Sequence, residues 1–257
     1  MLFCIGGSAT NDGGAGLAAA LGFELHDERG ECIELPIGAD LCRVARIVRG
    51  ARVPAALARV KVRVACDVRN PLVGACGATR IYGPQKGVVT EQQFDELENG
   101  LTALGRCWVR DLGASAAIVE LPGGGAAGGM GAGLVAFCRA ELVSGVALIA
   151  AHVGLEAAVA DAADLVLTGE GRLDASSGAG KVPQGVSELA HRLGVPCVAV
   201  CGAVEGGLQP QSETIAAAFS ICSAPMTLQH AMAHAPELVA HTTANIMHTW
   251  LLARQSR

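Results

Sequence analysis

The sequence predicts an α/β protein with parallel sheets, arranged as two α/β domains. Three observations predict it. Short apolar, partly β-branched runs recur at residues 61–66, 164–169, 195–201 and 215–220. Between them lie glycine-bearing loops and stretches with helical spacing, and strand–loop–helix alternation calls for parallel strands with helices on the sheet faces. The core is aliphatic: the chain is 51% hydrophobic but only 3% aromatic.

The elements follow in order. Residues 1–5 supply a short strand ahead of a loop that opens at Gly6. Residues 15–21 are an Ala-rich helix, residues 23–26 a strand, and Asp27-Glu28-Arg29-Gly30 has the chemistry of a hairpin turn. Residues 61–66 alternate and read as a strand. Thr90 caps a helix to about Arg110, with Phe94, Leu97, Leu101 and Leu104 at helical spacing. A glycine-dense segment, 123–133, runs into a helix through Arg139. After Gly145 the rhythm changes. Residues 164–169 are a buried strand, 181–193 a helix, 195–201 and 215–220 buried strands, and 228 to about 254 a closing helix. The change of rhythm places a domain boundary near Leu155, giving 1–155 and 156–257. A ligand-type loop this close to Met1 reads as the C-terminal part of something longer.

Composition excludes several classes. There are 34 glycines among 257 residues, well above the usual share of about 7%. They cluster, which excludes collagen. High apolar content at a net charge of −5 excludes general disorder. A pI of 5.8 with Lys and Arg spread thinly argues against a nucleic-acid footprint. Mean hydropathy is +0.41, yet no uninterrupted apolar stretch reaches the roughly 20 residues of a membrane span. No basic segment follows Met1 to mark a secretory signal. The ten cysteines are scattered singly, several inside apolar runs (Cys66, Cys138, Cys197, Cys201), which reads as buried free thiols in a reducing cytoplasm.

Four motifs could carry chemistry. GGSATNDGGAG at residues 6–16 places Ser8, Thr10, Asn11 and Asp12 between glycines and ahead of a helix N-terminus. These side chains can bind a polyol or carboxylate. They also make an ordinary N-cap. DVRNPL at 67–72, followed by GPQKG at 83–87, puts Asp67 directly after a strand, where α/β sheets bind ligands. Asn70 and Lys86 accompany it, as turn residue and solvated lysine or as ligand groups. PGGGAAGGMG at 122–131 contains Gly123, Gly124, Gly125, Gly128 and Gly129, whose amides could wrap an anion. Close helix–sheet packing is the other reading. TGEGRLD at 168–174, with Gly180-Lys181, is the most specific set. Glu170 and Asp174 could hold a metal or take a hydroxyl proton, and Lys181 could offset phosphoryl charge. A surface salt-bridge cluster is the alternative. His230, His234, His241 and His248 share the last helix; a polar face explains them better than a metal site, because no third ligand accompanies the pair at His230 and His234.

Together the four motifs resemble the bacterial glycerate kinase family, over nearly the whole chain. Ala217-Ala-Phe-Ser220 and the helix after it are similar as well. Ser176-Ser177 stand where the family shows Gln-Thr, and the family's opening strand and Asp-Ser-Phe-Lys-Gly-Ser loop have no counterpart. The resemblance implies a Rossmann-like domain with a parallel sheet, incomplete here, and a central mixed α/β domain. It also implies phosphorylation of D-glycerate to 2-phosphoglycerate with ATP and Mg²⁺. In that reading Ser8, Thr10, Asn11 and Asp12, with Asp67, Asn70 and Lys86, line the substrate pocket. Gly123, Gly124, Gly125, Gly128 and Gly129 bind phosphate. Glu170 and Asp174 hold the metal or act as base, with Lys181 on the phosphates. The implied enzyme is cytoplasmic, and an incomplete sheet would favour a homo-oligomer. Two alternatives stand beside it: an inactive truncated relic that binds only a ligand or partner chain, and another nucleotide-using α/β enzyme.

Overall fold

The structure, a computed structural model, describes residues 1–173, 182–205 and 213–255. It is α/β with parallel sheets and divides into two compact units, Met1–Gly145 and Val146–Arg257.

In the first unit β1 (Leu2–Cys4) is followed by α1 (Ala15–Ala20) and the strands β2 (Phe23–His26) and β3 (Arg46–Arg49). Next come β4 (Arg63–Ala65), α2 (Ala78–Tyr82), α3 (Glu91–Leu112), α4 (Met130–Cys138) and β5 (Glu141–Val143). β1, β4 and β5 form a parallel sheet with β4 central, Phe3 lying opposite Val64 and Val64 opposite Leu142. β2 and β3 pair antiparallel, Leu25 opposite Ile47. The turn at Asp27–Gly30 forms through Gly30 N donating to Asp27 O at 3.0 Å. It leads only to a single bridge between His26 and Cys32. The strand partner comes later, in β3, which local patterning does not reveal.

α3 organises this core. Thr90 Oγ1 accepts from Gln93 N at 3.2 Å, and Gln93 Oε1 accepts from Thr90 N at 3.1 Å. That capping box satisfies donors the helix start would otherwise leave open. The helix ends at Gly113, whose φ of 70° suits glycine. Leu101, Leu104 and Trp108 are fully buried, as are Leu25, Leu41, Val64 and Leu72. Trp108 meets Phe137 edge-on at 5.9 Å between ring centroids, and Phe137 meets Phe23 at 5.1 Å. Thr90→Ala should cost about 1 kcal/mol, the usual worth of such a cap. Urea unfolding should show a lower midpoint with an unchanged slope; an unchanged midpoint would show that the cap contributes nothing.

The second unit begins with α5 (Gly145–His152) and α6 (Leu155–Ala162), then β6 (Val166–Thr168), β7 (Arg172–Leu173), α7 (Val182–Arg192), β8 (Cys197–Cys201) and β9 (Ala203–Val204). β10 (Ala217–Ser220), α8 (Leu228–Ala233) and α9 (Ala235–Gln255) complete it. β8 is central in a parallel sheet, with β10 and β6 on its flanks. β7 and β9 make a small parallel pair. Small residues fill the sheet core, with Ala190, Ala199, Cys197 and Cys201 buried. Burial pushes the Cys197 thiol up to about 11, which keeps it protonated and inert. All ten cysteines are free. Cys138, Cys197 and Cys201 are buried as expected and Cys66 partly so, while Cys4, Cys32, Cys42 and Cys76 are exposed.

The division between the units lies at Gly145, whose N–H is held by Asp67 Oδ1 at 2.7 Å. One expectation changes. The closing helix is two helices, α8 and α9, that break at His234. Pro236 explains the break: it lacks an N–H and fits the first turn of a helix but not its interior. His230 and His234 stack at 4.1 Å between centroids. No group of three or more metal-ligating side chains occurs among the described residues. Among those residues, no single helix is long and apolar enough to cross a membrane.

Candidate active site

The C-terminal ends of β1 and β4 open into a cavity of about 570 Å³. Ligands of parallel sheets bind at this end, where loops leave the strands. Gly6, Gly7 and Ser8 line it after β1, and Cys66, Asp67 and Val68 after β4. Tyr82 and Gln85 close one side, and Ala126 and Ala127 reach it from the glycine-dense loop.

The loop after β1 is open where it meets the cavity. A Cβ at Gly6 or Gly7 would meet nothing within 4 Å. Ser8 Oγ accepts from the Lys86 ammonium at 3.0 Å, and Thr10 O accepts from it at 2.6 Å. Burial pushes the Lys86 pKa down from the usual lysine value, and the charge of Asp12 opposes that shift. The GPQKG segment places this lysine. Gly83 packs so tightly that a Cβ would sit 2.3 Å from Thr79 O, and Gly87 ends the turn at a φ of 91°.

Asp12 is a capping residue. It is buried, with Oδ1 accepting from Gly14 N at 3.0 Å and Oδ2 from Gly16 N at 3.1 Å. Both oxygens therefore hold the start of α1. Asn11 Nδ2 donates to Thr79 Oγ1 at 3.0 Å, while Asn11 Oδ1 is buried with no partner among the described residues. Asn70 Oδ1 accepts from the Tyr82 hydroxyl at 2.7 Å, and Asn70 Nδ2 donates to Cys76 O at 2.8 Å. Of the residues expected to meet substrate, Ser8 and Asp67 line the cavity. Thr10, Asn11, Asp12, Asn70 and Lys86 are not among its lining residues and hydrogen-bond within the surrounding loops. Thr79 and Tyr82, one helical turn apart on α2, were not foreseen. They tie down Asn11 and Asn70, and the only sequence signal was their i, i+3 spacing just ahead of GPQKG.

The glycine-dense loop differs in kind. Residues 123–129 are buried throughout. A Cβ at Gly125 would lie 2.1 Å from Pro71 O, and one at Gly128 2.0 Å from Thr10 O. The amides of Gly124, Gly125 and Gly129 donate to Leu121 O, Asn70 O and Gly125 O, and Gly128 O accepts from Gly13 N. Gly123, Gly124, Gly125, Gly128 and Gly129 are thus closely packed against the chain around them, while Ala126 and Ala127 between them line the cavity. Phosphate binding by these glycines stands as a proposal.

In the second unit β6 ends at Thr168 and Glu170 follows. Gly169 allows this turn to pass close to β8, since a Cβ there would lie 2.2 Å from Val200 O. Glu170 O accepts from Gly202 N at 3.1 Å, and Gly171 O from Ala203 N at 3.0 Å. The Glu170 side chain is unlike Asp12: its Oε1 is buried with no hydrogen-bond partner among the described residues. Arg172 forms an ion pair with Glu205. Asp174 and Lys181 lie outside the described residues, as do Ser176 and Ser177.

Comparison with known proteins points to one family. The model of the glycerate kinase family matches residues 1–251. A glycerate kinase of Halalkalibacterium halodurans is 44% identical over 243 residues, covering 94% of this chain and 62% of the relative. A glycerate 2-kinase of Escherichia coli is 40% identical over 247 residues, covering 95% of this chain and 63% of the relative. A crystal structure provisionally assigned as glycerate kinase 2 from Salmonella typhimurium LT2 superposes with a TM-score of 0.77 at 41% identity, covering 99% of this chain and 65% of that one. The chain thus spans less than two thirds of the length of these relatives.

Proposed function

Since this chain belongs to the glycerate kinase family, we propose that it transfers the terminal phosphoryl group of ATP to the 2-hydroxyl of D-glycerate, giving 2-phosphoglycerate and ADP. The observation that carries this reading is the cavity at the ends of β1 and β4. At about 570 Å³ it lies within the usual size of small-molecule sites, roughly 300–1,000 Å³. Its lining includes Ser8 and Tyr82, which bear hydroxyls, and Asp67, which bears a carboxylate. These suit a small molecule with both hydroxyl and carboxylate groups. Thr10, Asn11, Asp12, Asn70 and Lys86 hold the loops that present them.

The second unit supplies chemistry suited to the transfer. A buried carboxylate oxygen with no donor among the described residues, as at Glu170, suits a cation, because an unpaired buried charge is otherwise costly. Glu170 and Asp174 are therefore the residues we assign to Mg²⁺ or to the substrate proton, and Lys181 to the phosphates. Mg²⁺ bound there would offset charge on the phosphoryl group. In the transfer the 2-hydroxyl oxygen bonds to phosphorus, the bond to the ADP oxygen breaks, and the hydroxyl proton passes to a carboxylate.

The test is a coupled ADP assay with D-glycerate and Mg·ATP, followed by ³¹P NMR of the product. ADP release that stops with EDTA, and a phosphate ester on carbon 2, are expected. Turnover with glycerol and none with glycerate would overturn the substrate assignment.

A further inference from the structure

A second cavity, of about 520 Å³, lies at the other end of the first unit's parallel sheet. Arg139 and Ala140 line it and lead directly into β5, which places it at the N-terminal end of that strand. β1 and β4 run parallel to β5 and meet the candidate active site at their C-terminal ends. The walls of the second cavity are mostly apolar, with Leu112 from the end of α3, Ile118 and Leu121 from the segment after it, and Val135 from α4. Among the described residues that line it, Arg139 is charged and none is acidic. Ser115 brings a hydroxyl that accepts from Ala117 N at 3.3 Å and keeps its proton to donate. Arg139 stands where glycine is expected. It ends α4 at a φ of 54°, in the left-handed region that a side chain adopts only at a cost. Gly14, Gly113, Gly129 and Gly154 hold that region at other α-helix caps. Positive charge favours a helix C-terminus, but an arginine one turn earlier would supply it without the strain. The Arg139 side chain is exposed and makes no hydrogen bond or ion pair with the described residues.

We propose that this cavity is a second small-molecule site and that it takes a carboxylate carried on a short apolar body. Arg139 receives the carboxylate, Ser115 offers a further donor, and the apolar body lies against Leu112, Ile118, Leu121 and Val135. The volume falls within the range of small-molecule sites, roughly 300–1,000 Å³. A guanidinium meets a carboxylate with two parallel N–H donors. The apolar walls gain when a ligand covers surface that water now meets. A polyol has no apolar surface to bury there, and a cation meets the charge of Arg139, so both are disfavoured. Strain kept at a cap marks a position where the side chain serves something besides the fold. The cavity shares no lining residue with the candidate active site, and the proposal does not depend on the phosphoryl-transfer reading.

The probe is hexanoate, with hexanamide as its neutral counterpart, titrated into the ¹⁵N-labelled full chain and followed by amide chemical shifts. Hexanoate should move the amides of residues 112–121 and 135–140. Hexanamide should bind about fivefold more weakly, the upper worth of one exposed ion pair. Arg139→Gly should abolish the preference between the two probes. It should also melt about 2–4 °C higher, because glycine relieves the cap. Arg139→Lys keeps both the charge and the left-handed side chain, so it should retain part of the preference and melt with the wild type. Hexanoate shifts confined to other residues, equal affinities for the two probes, or a preference that survives in Arg139→Gly would overturn the site. An Arg139→Gly variant that melts no higher would show that arginine costs nothing at this cap, and would overturn the inference as well.

Discussion

Glu170→Gln should lower kcat for glycerate phosphorylation at least about 100-fold, the size expected when a positioned acid–base or metal-binding carboxylate is lost. The shape of the side chain is kept and only its charge is removed. Glu170 Oε1 is buried with no hydrogen-bond donor among the described residues, and none of those residues makes that charge stabilising to the fold. The same variant should therefore melt at the same temperature as the wild type, or higher. The coupled ADP assay and a thermal melt on one preparation read both outcomes. A folded variant with an unchanged rate would make Glu170 a structural carboxylate and remove it from the reaction. Asp174→Asn is expected to lose activity on the same scale, for the chemical reason that two carboxylates near a strand end share the work of metal and base.

Gly128→Ala should destabilise the protein by about 3–5 kcal/mol, from the combined cost of a left-handed backbone and of overpacking. Gly128 has a φ of +67°, and an added Cβ would sit 2.0 Å from Thr10 O and 2.6 Å from Asn11 Cα. Both neighbours are backbone, so neither can swing aside as a side chain would. Gly30 is the control. Its φ is +81°, but a Cβ there meets nothing within 4 Å, and Gly30→Ala should cost only about 1–2 kcal/mol from the backbone term. Urea unfolding of the two variants gives the comparison. A Gly128→Ala loss no larger than that of Gly30→Ala would show that the close approach of Thr10 O to Gly128 contributes nothing to the cost.

Legibility varied with the range of the interactions involved. β2 at Phe23–His26 was readable residue by residue, because alternation and the following turn are local. α3 was readable because Thr90 and the apolar spacing behind it are local too. β7 and β9 are two residues each, too short for any period to show. β3 carries arginine at both ends, and only its pairing with β2 makes it a strand. The closing helix read as one because its apolar pattern runs on past Pro236, while the missing N–H breaks it.

The candidate site divides along the same line. The sequence by itself determined the family, the chemistry-bearing residue types and their places just after strands, because motif order and strand ends are properties of the chain alone. It could not separate a glycine that faces a ligand from one that faces another backbone. Gly6 and Gly7 face open space, whereas Gly125 and Gly128 lie against Pro71 and Thr10. Nor could it separate the two acidic loops: Asp12 spends both oxygens on Gly14 and Gly16, while Glu170 has one buried oxygen with no partner among the described residues. Only the tertiary structure decided these, because the atoms that fill the space beside a glycine, or satisfy a carboxylate, are brought there by folding from other parts of the chain.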